Sequence, residues 1–251
     1  MRTVDVDGAQ LAYRVDGHGP ALVLVHAGIA DMRMWEPLVG LLDHRFTVVR
    51  YDMRGHGETT YGPGECSDVD DLGALLDALE IESCVLVGAS FGGLVALAFA
   101  AAHPERVERL VVIDAPLPGH EWSERMGEFF AAENAAVEAG RVEEAVQLNV
   151  ELWVGSAEPD VRELVAEMQE RAFRLQLEAE PESAGLEPDL SRITMPTTVV
   201  MGEHDVQDFI AIAHRLADEL PHAVLECVPR AAHLPALERP DAVAALIVSR
   251  R

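Results

Sequence analysis

The chain has 251 residues, a length that suits a single domain with a sizeable core, and it carries a formal net charge of −25. That charge would repel the phosphate groups of nucleic acids and of anionic membranes, so we expect neither as a partner. No run of about 18 uninterrupted apolar residues occurs, so the sequence predicts no membrane-spanning helix. All 19 basic residues are arginine, which excludes chemistry that needs a lysine amine, such as pyridoxal phosphate attachment or a P-loop.

The N-terminal residues and the cysteines bear on where the protein acts. Residues 1–17 alternate like a strand and lack the apolar core and the cleavage site of a secretory signal. The three cysteines, Cys66, Cys84 and Cys227, lie far apart and show no metal-ligand spacing. These features predict a cytoplasmic protein with reduced cysteines and no metal site.

Predicted strands and helices alternate along most of the chain. The first two strand patterns flank Gly8 and predict a hairpin, and the later ones are apolar runs typical of strands buried on both faces. Strand patterns occupy residues 3–7, 10–16, 21–25, 46–52, 83–88, 109–114, 197–202 and 223–228. Helical patterns occupy residues 67–80, 91–103, 207–220 and a short stretch from about Pro240. The alternation predicts an α/β fold in which helices pack on a parallel sheet.

Residues 118–189 depart from this alternation. They contain helical stretches such as 141–153 and 160–178 but no convincing strand, and they hold 18 acidic residues against 5 arginines. Prolines and glycines mark both ends of the segment. We interpret it as a helical cap inserted into an α/β core formed by residues 1–117 and 190–251. The alternative is a run of ordinary core-packing helices.

The sharpest local motif is GASFGG, residues 88–93, with Ser90 at its centre. The motif follows a predicted strand and begins a predicted helix, which is the context of a nucleophile elbow. Such a tight turn raises the serine hydroxyl above the sheet, and flanking glycines leave room for the backbone. The pattern predicts Ser90 as a nucleophile, and the alternative is an ordinary serine helix cap.

A serine nucleophile needs a base and an acid that orients the base. His233 lies in a loop after the last predicted strand, where an open α/β sheet builds its site, so it is the predicted base. Asp205 follows the strand at 197–202 and precedes His233, which matches the chain order Ser, Asp, His. Asp114, also at a strand end, is the competing acid, and Asp208 is better explained as an early-helix acid.

Acyl transfer also requires two hydrogen-bond donors for the developing oxyanion. The backbone N–H of Phe91, next to the nucleophile, is the first predicted donor. The second is expected in the loop after the strand at 21–25, where Gly28 is the candidate and Ile29 the runner-up. We interpret His26 in the same loop as a structural side chain.

Five segments occur in an order that resembles the α/β-hydrolase superfamily. They are VHAGIADMRMWEPL, YDMRGHGET, VGASFGG, MGEHD and AAHLPALERP, and they cover almost the whole chain outside residues 118–189. The resemblance implies an eight-stranded, mostly parallel sheet with helices on both faces, an inserted helical cap, and no metal or organic cofactor. It also implies that Arg54 and His56 belong to a structural turn beside the site. The oxyanion loop reads His-Ala-Gly, where many relatives have His-Gly. A serine in place of aspartate disfavours haloalkane dehalogenase and epoxide hydrolase activity.

The expected function is two-step acyl transfer on a small or medium carboxylic ester or lactone. The substrate is therefore a small molecule, and the protein is expected to be a monomer or a homodimer. An apolar acyl pocket is predicted from Ile29, Trp122, Phe129, Phe130 and Trp153, although such aromatic residues can equally form the core of the cap.

Other functions are open to the same three residues. They include hydrolysis of a diketone C–C bond, cofactor-free perhydrolysis and thioester cleavage, since a fold does not choose among these reactions. A small-ligand receptor on a hydrolase scaffold is the non-enzymatic alternative.

Overall fold

The structure, a computed structural model, describes residues 1–62, 65–179, 182–183 and 185–249. The strands are β1 (Arg2–Val6), β2 (Ala9–Gly17), β3 (Ala21–Val25), β4 (Thr47–Tyr51), β5 (Glu65–Cys66), β6 (Cys84–Ala89), β7 (Val107–Ile113), β8 (Glu182–Ser183), β9 (Thr197–Gly202) and β10 (Ala223–Val228). The helices are α1 (Glu36–Leu42), α2 (Asp68–Ala78), α3 (Phe91–Ala102), α4 (Glu124–Glu138), α5 (Val142–Val154), α6 (Pro159–Leu177), α7 (Gln207–Glu219), α8 (Pro235–Glu238) and α9 (Pro240–Val248).

Eight of these strands form one sheet in the order β1-β2-β4-β3-β6-β7-β9-β10. The first two strands pair antiparallel as a hairpin, β2 pairs antiparallel with β4, and every other neighbour in the sheet is parallel. Parallel strands need helical crossovers, and α2, α3 and α7 supply three of them. The predicted eight-stranded, mostly parallel sheet is confirmed.

The core lies on both faces of the sheet because successive strand side chains point in opposite directions. In β3, Leu22 and Leu24 belong to one apolar cluster, which includes residues of α1 and α9. Val23 and Val25 belong to a second cluster, which includes residues of α2, α3 and α7. Helices therefore cover both faces, as predicted for an α/β-hydrolase fold.

The helical segment, residues 118–189, supplies α4, α5 and α6 between β7 and β9. Its buried side chains, such as Met126 and Val165, are continuous with the first core cluster. The segment also contains the two-residue strand β8, which pairs parallel with β5; the sequence pattern contained no signal for so short a strand. Part of the segment's boundary, at residues 180, 181 and 184, lies outside the described residues.

A helix that spans a bilayer needs about 20 consecutive, predominantly apolar residues. Within the described ranges, no helix is both long enough and apolar enough to cross a membrane.

Candidate active site

Ser90 stands on a sharp turn between β6 and α3, as the motif predicts. Its backbone has φ 49° and ψ −123°, in the left-handed region that L-residues rarely adopt. The Ser90 N–H donates to the carbonyl of Ile113 on the neighbouring β7 at 2.8 Å, which ties the turn to the sheet. The side chain makes no helix-capping hydrogen bond, so the simple serine-cap alternative does not describe it.

The glycines of the motif allow a close approach of three backbone segments. A Cβ on Gly88 would lie 2.1 Å from the carbonyl oxygen of Gly92. A Cβ on Gly92 would lie 2.3 Å from the carbonyl oxygen of His26, and one on Gly93 would lie 2.7 Å from Cβ of Ala115. Real Cβ atoms do not come so close to other heavy atoms, so these positions require glycine for packing.

Ser90, His233 and Asp205 form one continuous hydrogen-bonded chain. The Oγ of Ser90 lies 2.9 Å from Nε2 of His233. The Nδ1 of His233 lies 2.9 Å and 3.0 Å from the two carboxylate oxygens of Asp205. The histidine and the aspartate are buried, at 2% and 6% exposure, so water competes little for these bonds. The arrangement can transfer the serine proton to the imidazole while the carboxylate holds the opposite ring nitrogen.

The loop that carries His233 is held by groups that the sequence analysis did not single out. The Glu238 carboxylate accepts the backbone N–H of Ala232 at 3.0 Å and that of Leu234 at 3.2 Å, on either side of the histidine. The N–H of His233 itself donates to the carbonyl of Trp153 at 3.3 Å. An acidic residue in the following PALERP stretch was the available signal for Glu238.

Two aromatic rings enclose the imidazole. The ring centroid of Trp153, on α5, lies 4.3 Å from that of His233, and the centroid of Phe209, on α7, lies 4.5 Å away. These contacts restrict the ring to the orientation in which its two nitrogens face Ser90 and Asp205. Phe209 had no signal in the sequence beyond its place on the predicted helix at 207–220.

The competing acid Asp114 lies beside Asp205, not beside the histidine. It is buried, with φ 46°, and its carboxyl oxygens accept the N–H of Gly202 at 3.1 Å and 3.3 Å. Burial raises the pKa of Asp114 well above its ordinary value, and the adjacent Asp205 carboxylate raises it further. Both effects favour the protonated form of Asp114, which can donate a hydrogen bond to the Asp205 carboxylate.

The other competing acid, Asp208, has a different function in the fold. Its carboxylate accepts the N–H of Ser123 at 2.8 Å, the hydroxyl of Ser123 at 2.8 Å, and a ring N–H of His120 at 3.1 Å. Ser123 is the residue before α4. Asp208 thus anchors the first helix of the helical segment to α7 of the core.

The predicted oxyanion donors lie next to each other. Phe91 is the first residue of α3, so its N–H has no carbonyl one turn earlier to bond within the helix. A Cβ placed on Gly28 would lie 3.4 Å from Cβ of Phe91, and both residues line the same cavity as Ser90. Ile29, the runner-up, lines that cavity as well.

His26 braces the oxyanion loop against the neighbouring turn. Its Nδ1 lies 2.8 Å from the carbonyl of Ala27, and its Nε2 accepts the N–H of Met53 at 2.9 Å. Burial lowers the pKa of His26 to about 4, so the ring is neutral at pH 7 and both nitrogens are satisfied.

Arg54 and His56 also make internal contacts. Arg54 forms a two-bond pair with the buried Asp71, each bond 2.7 Å long. The ring nitrogens of His56 lie 3.0 Å from the carbonyls of Arg54 and Gly28, and burial lowers the pKa of His56 to about 4. The geometry agrees with a structural turn beside the site.

A cavity of about 440 Å³ opens onto Ser90 and His233. Four of the five predicted pocket residues line it, namely Ile29, Phe129, Phe130 and Trp153, and Phe173 joins them. Trp122 is not among the lining residues. Its ring is 37% exposed and packs at 5.4 Å and 5.5 Å from the rings of Phe130 and Phe209.

The cavity wall also carries polar side chains that the sequence analysis did not predict. They are Glu133, Asn134, Asn149, Gln169 and Gln176, all on α4, α5 or α6. As for metals, no group of three or more His, Cys, Asp or Glu side chains in the described ranges is arranged to hold an ion.

Comparison with known proteins identifies the class. The model of the alpha/beta hydrolase family matches residues 22–246, so the chain belongs to that family, as the sequence motifs indicated. The crystal structure of the enol-lactonase from Burkholderia xenovorans LB400 superposes with a TM-score of 0.82 at 27% identity, over 98% of both chains. A hydrolase from Pseudomonas aeruginosa PA01 gives a TM-score of 0.81 at 29% identity, over 98% of this chain and 96% of that one.

Searches by sequence identify relatives with the following identities and coverage. The 3-oxoadipate enol-lactonase 2 of Acinetobacter baylyi is 29% identical over 264 aligned positions, covering 96% of this chain and 92% of the relative. Uncharacterised proteins of Mycobacterium tuberculosis and Mycobacterium bovis are 38% identical over 114 residues. That match spans 44% of this chain and only 33% of the mycobacterial proteins.

Proposed function

We propose that the protein is a serine hydrolase that cleaves small or medium carboxylic esters or lactones through an acyl-enzyme. The observation that carries the proposal is the hydrogen-bonded chain from Ser90 Oγ through His233 to Asp205. This chain ends in a cavity of about 440 Å³, a size that suits a small ester. The relatives named as enol-lactonases support lactones as part of the substrate class.

In the first step Ser90 Oγ attacks the carbonyl carbon while His233 Nε2 takes the hydroxyl proton. The imidazole becomes positively charged, and the Asp205 carboxylate at Nδ1 stabilises that charge. The carbonyl oxygen becomes an oxyanion, for which the backbone N–H groups of Phe91 and Gly28 are the proposed donors. His233 then gives its proton to the leaving alkoxide as the ester C–O bond breaks.

The second step releases the acyl group. His233 takes a proton from water, whose oxygen attacks the acyl carbon, and the Ser90 oxygen leaves with that proton. For a lactone the alcohol and the acid remain in one molecule, so one ring-opened hydroxy acid is released.

We propose further that residues 118–189 act as a cap over this site. Phe129 and Phe130 of α4, Trp153 of α5 and Phe173 of α6 contribute the apolar part of the cavity wall. Aromatic side chains at these positions leave little bulk water beside the oxyanion and so strengthen its hydrogen bonds, while the cavity still admits the water that attacks the acyl-enzyme.

The test is stopped-flow hydrolysis of para-nitrophenyl acetate and butyrate by the wild type and by Ser90→Ala. We expect turnover in the wild type and a loss of at least about 10³-fold in the variant, because the nucleophile is absent. Ser83→Ala is the matched control, since Ser83 lies on the surface and bonds Glu108. A fluorophosphonate should label Ser90 in the wild type, detected by peptide mass spectrometry. Ester turnover that survives in Ser90→Ala would overturn the mechanism.

A further inference from the structure

The helical segment places five polar side chains in a cavity wall that is otherwise aromatic: Glu133, Asn134, Asn149, Gln169 and Gln176. No step of the proposed mechanism uses them. Among the described residues that line the cavity there is no arginine, and the sequence contains no lysine. The wall therefore offers hydrogen-bonding groups and one carboxylate but no positive side chain apart from the histidine of the site.

Asn149 holds the carboxylate of Glu133 in place. Its Nδ2 donates to Glu133 Oε1 at 2.6 Å and to the carbonyl of Ala145 at 2.9 Å. Its Oδ1 accepts the indole N–H of Trp153 at 3.0 Å. The amide of Asn149 is thus fully engaged, and it serves to orient Glu133 and the ring that packs on His233.

Glu133 is a half-buried carboxylate that lacks a cationic partner within the described part of the chain. Burial raises its pKa, an effect that the Asn149 hydrogen bond partly offsets. A carboxylate removed from water gains from a donor or a cation that approaches it. A ligand can supply that group, because Glu133 forms part of the cavity wall.

Gln169 provides a second acceptor on the same wall. The residue is only 4% exposed, and its Oε1 is buried without a hydrogen-bond partner among the described residues. An unsatisfied buried carbonyl costs about 1–3 kcal/mol, and a ligand donor recovers part of that free energy once the amide turns toward the cavity that the residue lines. The Glu133 carboxylate and the Gln169 Oε1 are both acceptors.

We infer that the acyl group of the substrate ends in a hydrogen-bond donor, an ammonium or a hydroxyl group, which Glu133 and Gln169 accept. The inference rests on the proposed ester or lactone hydrolysis at Ser90. An acyl group that ends in a carboxylate is disfavoured, because it would face Glu133 with no arginine to pair with it. Glu133 and Gln169 thus recognise the terminal group of the acyl chain, while the aromatic residues bind its methylene groups.

The experiment compares para-nitrophenyl esters of four acyl groups with the same six-carbon chain: hexanoyl, 6-hydroxyhexanoyl, 6-aminohexanoyl and monoadipoyl. An eight-carbon series repeats the comparison at a second length. In the wild type we expect kcat/KM for the amino or the hydroxy ester to exceed that for the unsubstituted ester about tenfold, the effect of one good hydrogen bond. The carboxylate-ended ester should be the poorest of the four.

Two variants locate the preference. Glu133→Gln keeps an acceptor for Asn149 but removes the charge, and Gln169→Met keeps the side-chain volume but removes the acceptor. Each should lower several-fold the ratio of kcat/KM for the donor-ended esters to kcat/KM for the hexanoyl ester, a ratio that corrects for any change in ester hydrolysis itself. Glu151→Gln is the matched control, because Glu151 is exposed on α5 and bonds Gln147 at 2.7 Å. It should change none of the four rates.

The outcomes separate this inference from the proposed function. If the unsubstituted or the carboxylate-ended ester is hydrolysed best at both lengths, and the hydrolysis depends on Ser90, the inference is wrong and the hydrolase mechanism stands. A donor-ended preference that both variants retain would also overturn the inference. If none of the esters is turned over in a Ser90-dependent way, the proposed function fails and the inference fails with it.

Discussion

The α/β core and the helical segment contribute to the candidate site in different ways. The core holds Ser90, His233 and Asp205 by backbone contacts so close that several positions admit only glycine. The helical segment contributes side chains from the surfaces of three helices, and a Cβ added to Gly127 in α4 would have no atom within 4 Å. The core therefore fixes the candidate reacting groups by close backbone packing, while the segment supplies much of the cavity wall and has room for a methyl group at Gly127.

The largest effect is expected for Asp205→Asn. In serine hydrolases with the same three groups, an amide at this position leaves the geometry intact but favours the wrong imidazole tautomer and lowers kcat about 10⁴-fold. We expect a loss of that order in para-nitrophenyl butyrate hydrolysis. Asp114→Asn should cost at most about tenfold, because the His233 Nδ1 bonds the carboxylate of Asp205 and not that of Asp114. Equal losses in the two variants would instead assign Asp114 to the orienting role.

Asp114→Asn should also change how stability depends on pH. The pKa of Asp114 is higher in the folded than in the unfolded chain, so folding favours its protonated form. This preference stabilises the folded protein at low pH. The stabilisation is lost as pH rises from about 4, the ordinary pKa of an aspartate, towards the native pKa. Asparagine imitates the protonated acid and does not titrate. Between about pH 4 and the native pKa of Asp114, the free energy of unfolding of the variant should therefore rise relative to that of the wild type, by at most about 1.4 kcal/mol per pH unit.

Urea unfolding of both proteins at pH 5, 6 and 7 measures this difference. Contributions from titrating groups that do not interact with Asp114 cancel between the two proteins. A difference that does not change with pH would show that Asp114 titrates alike in the folded and unfolded chains.

Gly92→Ala tests the close packing of the core. The new Cβ would lie 2.3 Å and 2.5 Å from the carbonyl oxygens of His26 and Val25, both backbone atoms that cannot rotate away. We expect a loss of about 1–3 kcal/mol in the free energy of unfolding, together with a fall in kcat, because the turn that carries Ser90 must shift. Thermal unfolding and ester turnover measure the two effects. An unchanged melting temperature would contradict this expectation and show that the turn can accommodate a methyl group at position 92.

The smallest effect is expected for Gly127→Ala in α4 of the helical segment. The position lies inside a helix and has space for a methyl group, so alanine should raise the free energy of unfolding by about 0.5–1 kcal/mol. The measurement is the urea midpoint, with ester turnover as the check that the cavity is intact. A destabilised variant would show that this face of α4 is closely packed, and the difference in packing between the core and the helical segment would then not hold at Gly127.

Much of the core could be predicted from the sequence because its signals are local. Each buried strand is a short apolar run bounded by turn residues, and each observed strand of the main sheet lies within a few residues of its prediction. The positions of Ser90, Asp205 and His233 also follow from one rule, that the carboxyl ends of parallel strands meet at one edge of the sheet. Their direct contacts, at 2.9 Å on both sides of the imidazole, are what that rule leads one to expect.

What the tertiary structure alone decided lies mainly where helix surfaces meet. Trp122 and Trp153 are both aromatic residues of the helical segment, yet Trp153 packs on His233 while Trp122 lies partly in solvent. The sequence does not distinguish them, because the side that a helix presents to a cavity depends on how neighbouring helices pack. The hydrogen bonds of Glu238 to the loop that carries His233 likewise depend on tertiary contacts. So does the position of Glu133 and the other polar side chains in the cavity wall. By itself the sequence determined the family and the sheet, and it pointed to Ser90, Asp205 and His233 as the candidate reacting residues, since those follow from local patterns and chain order.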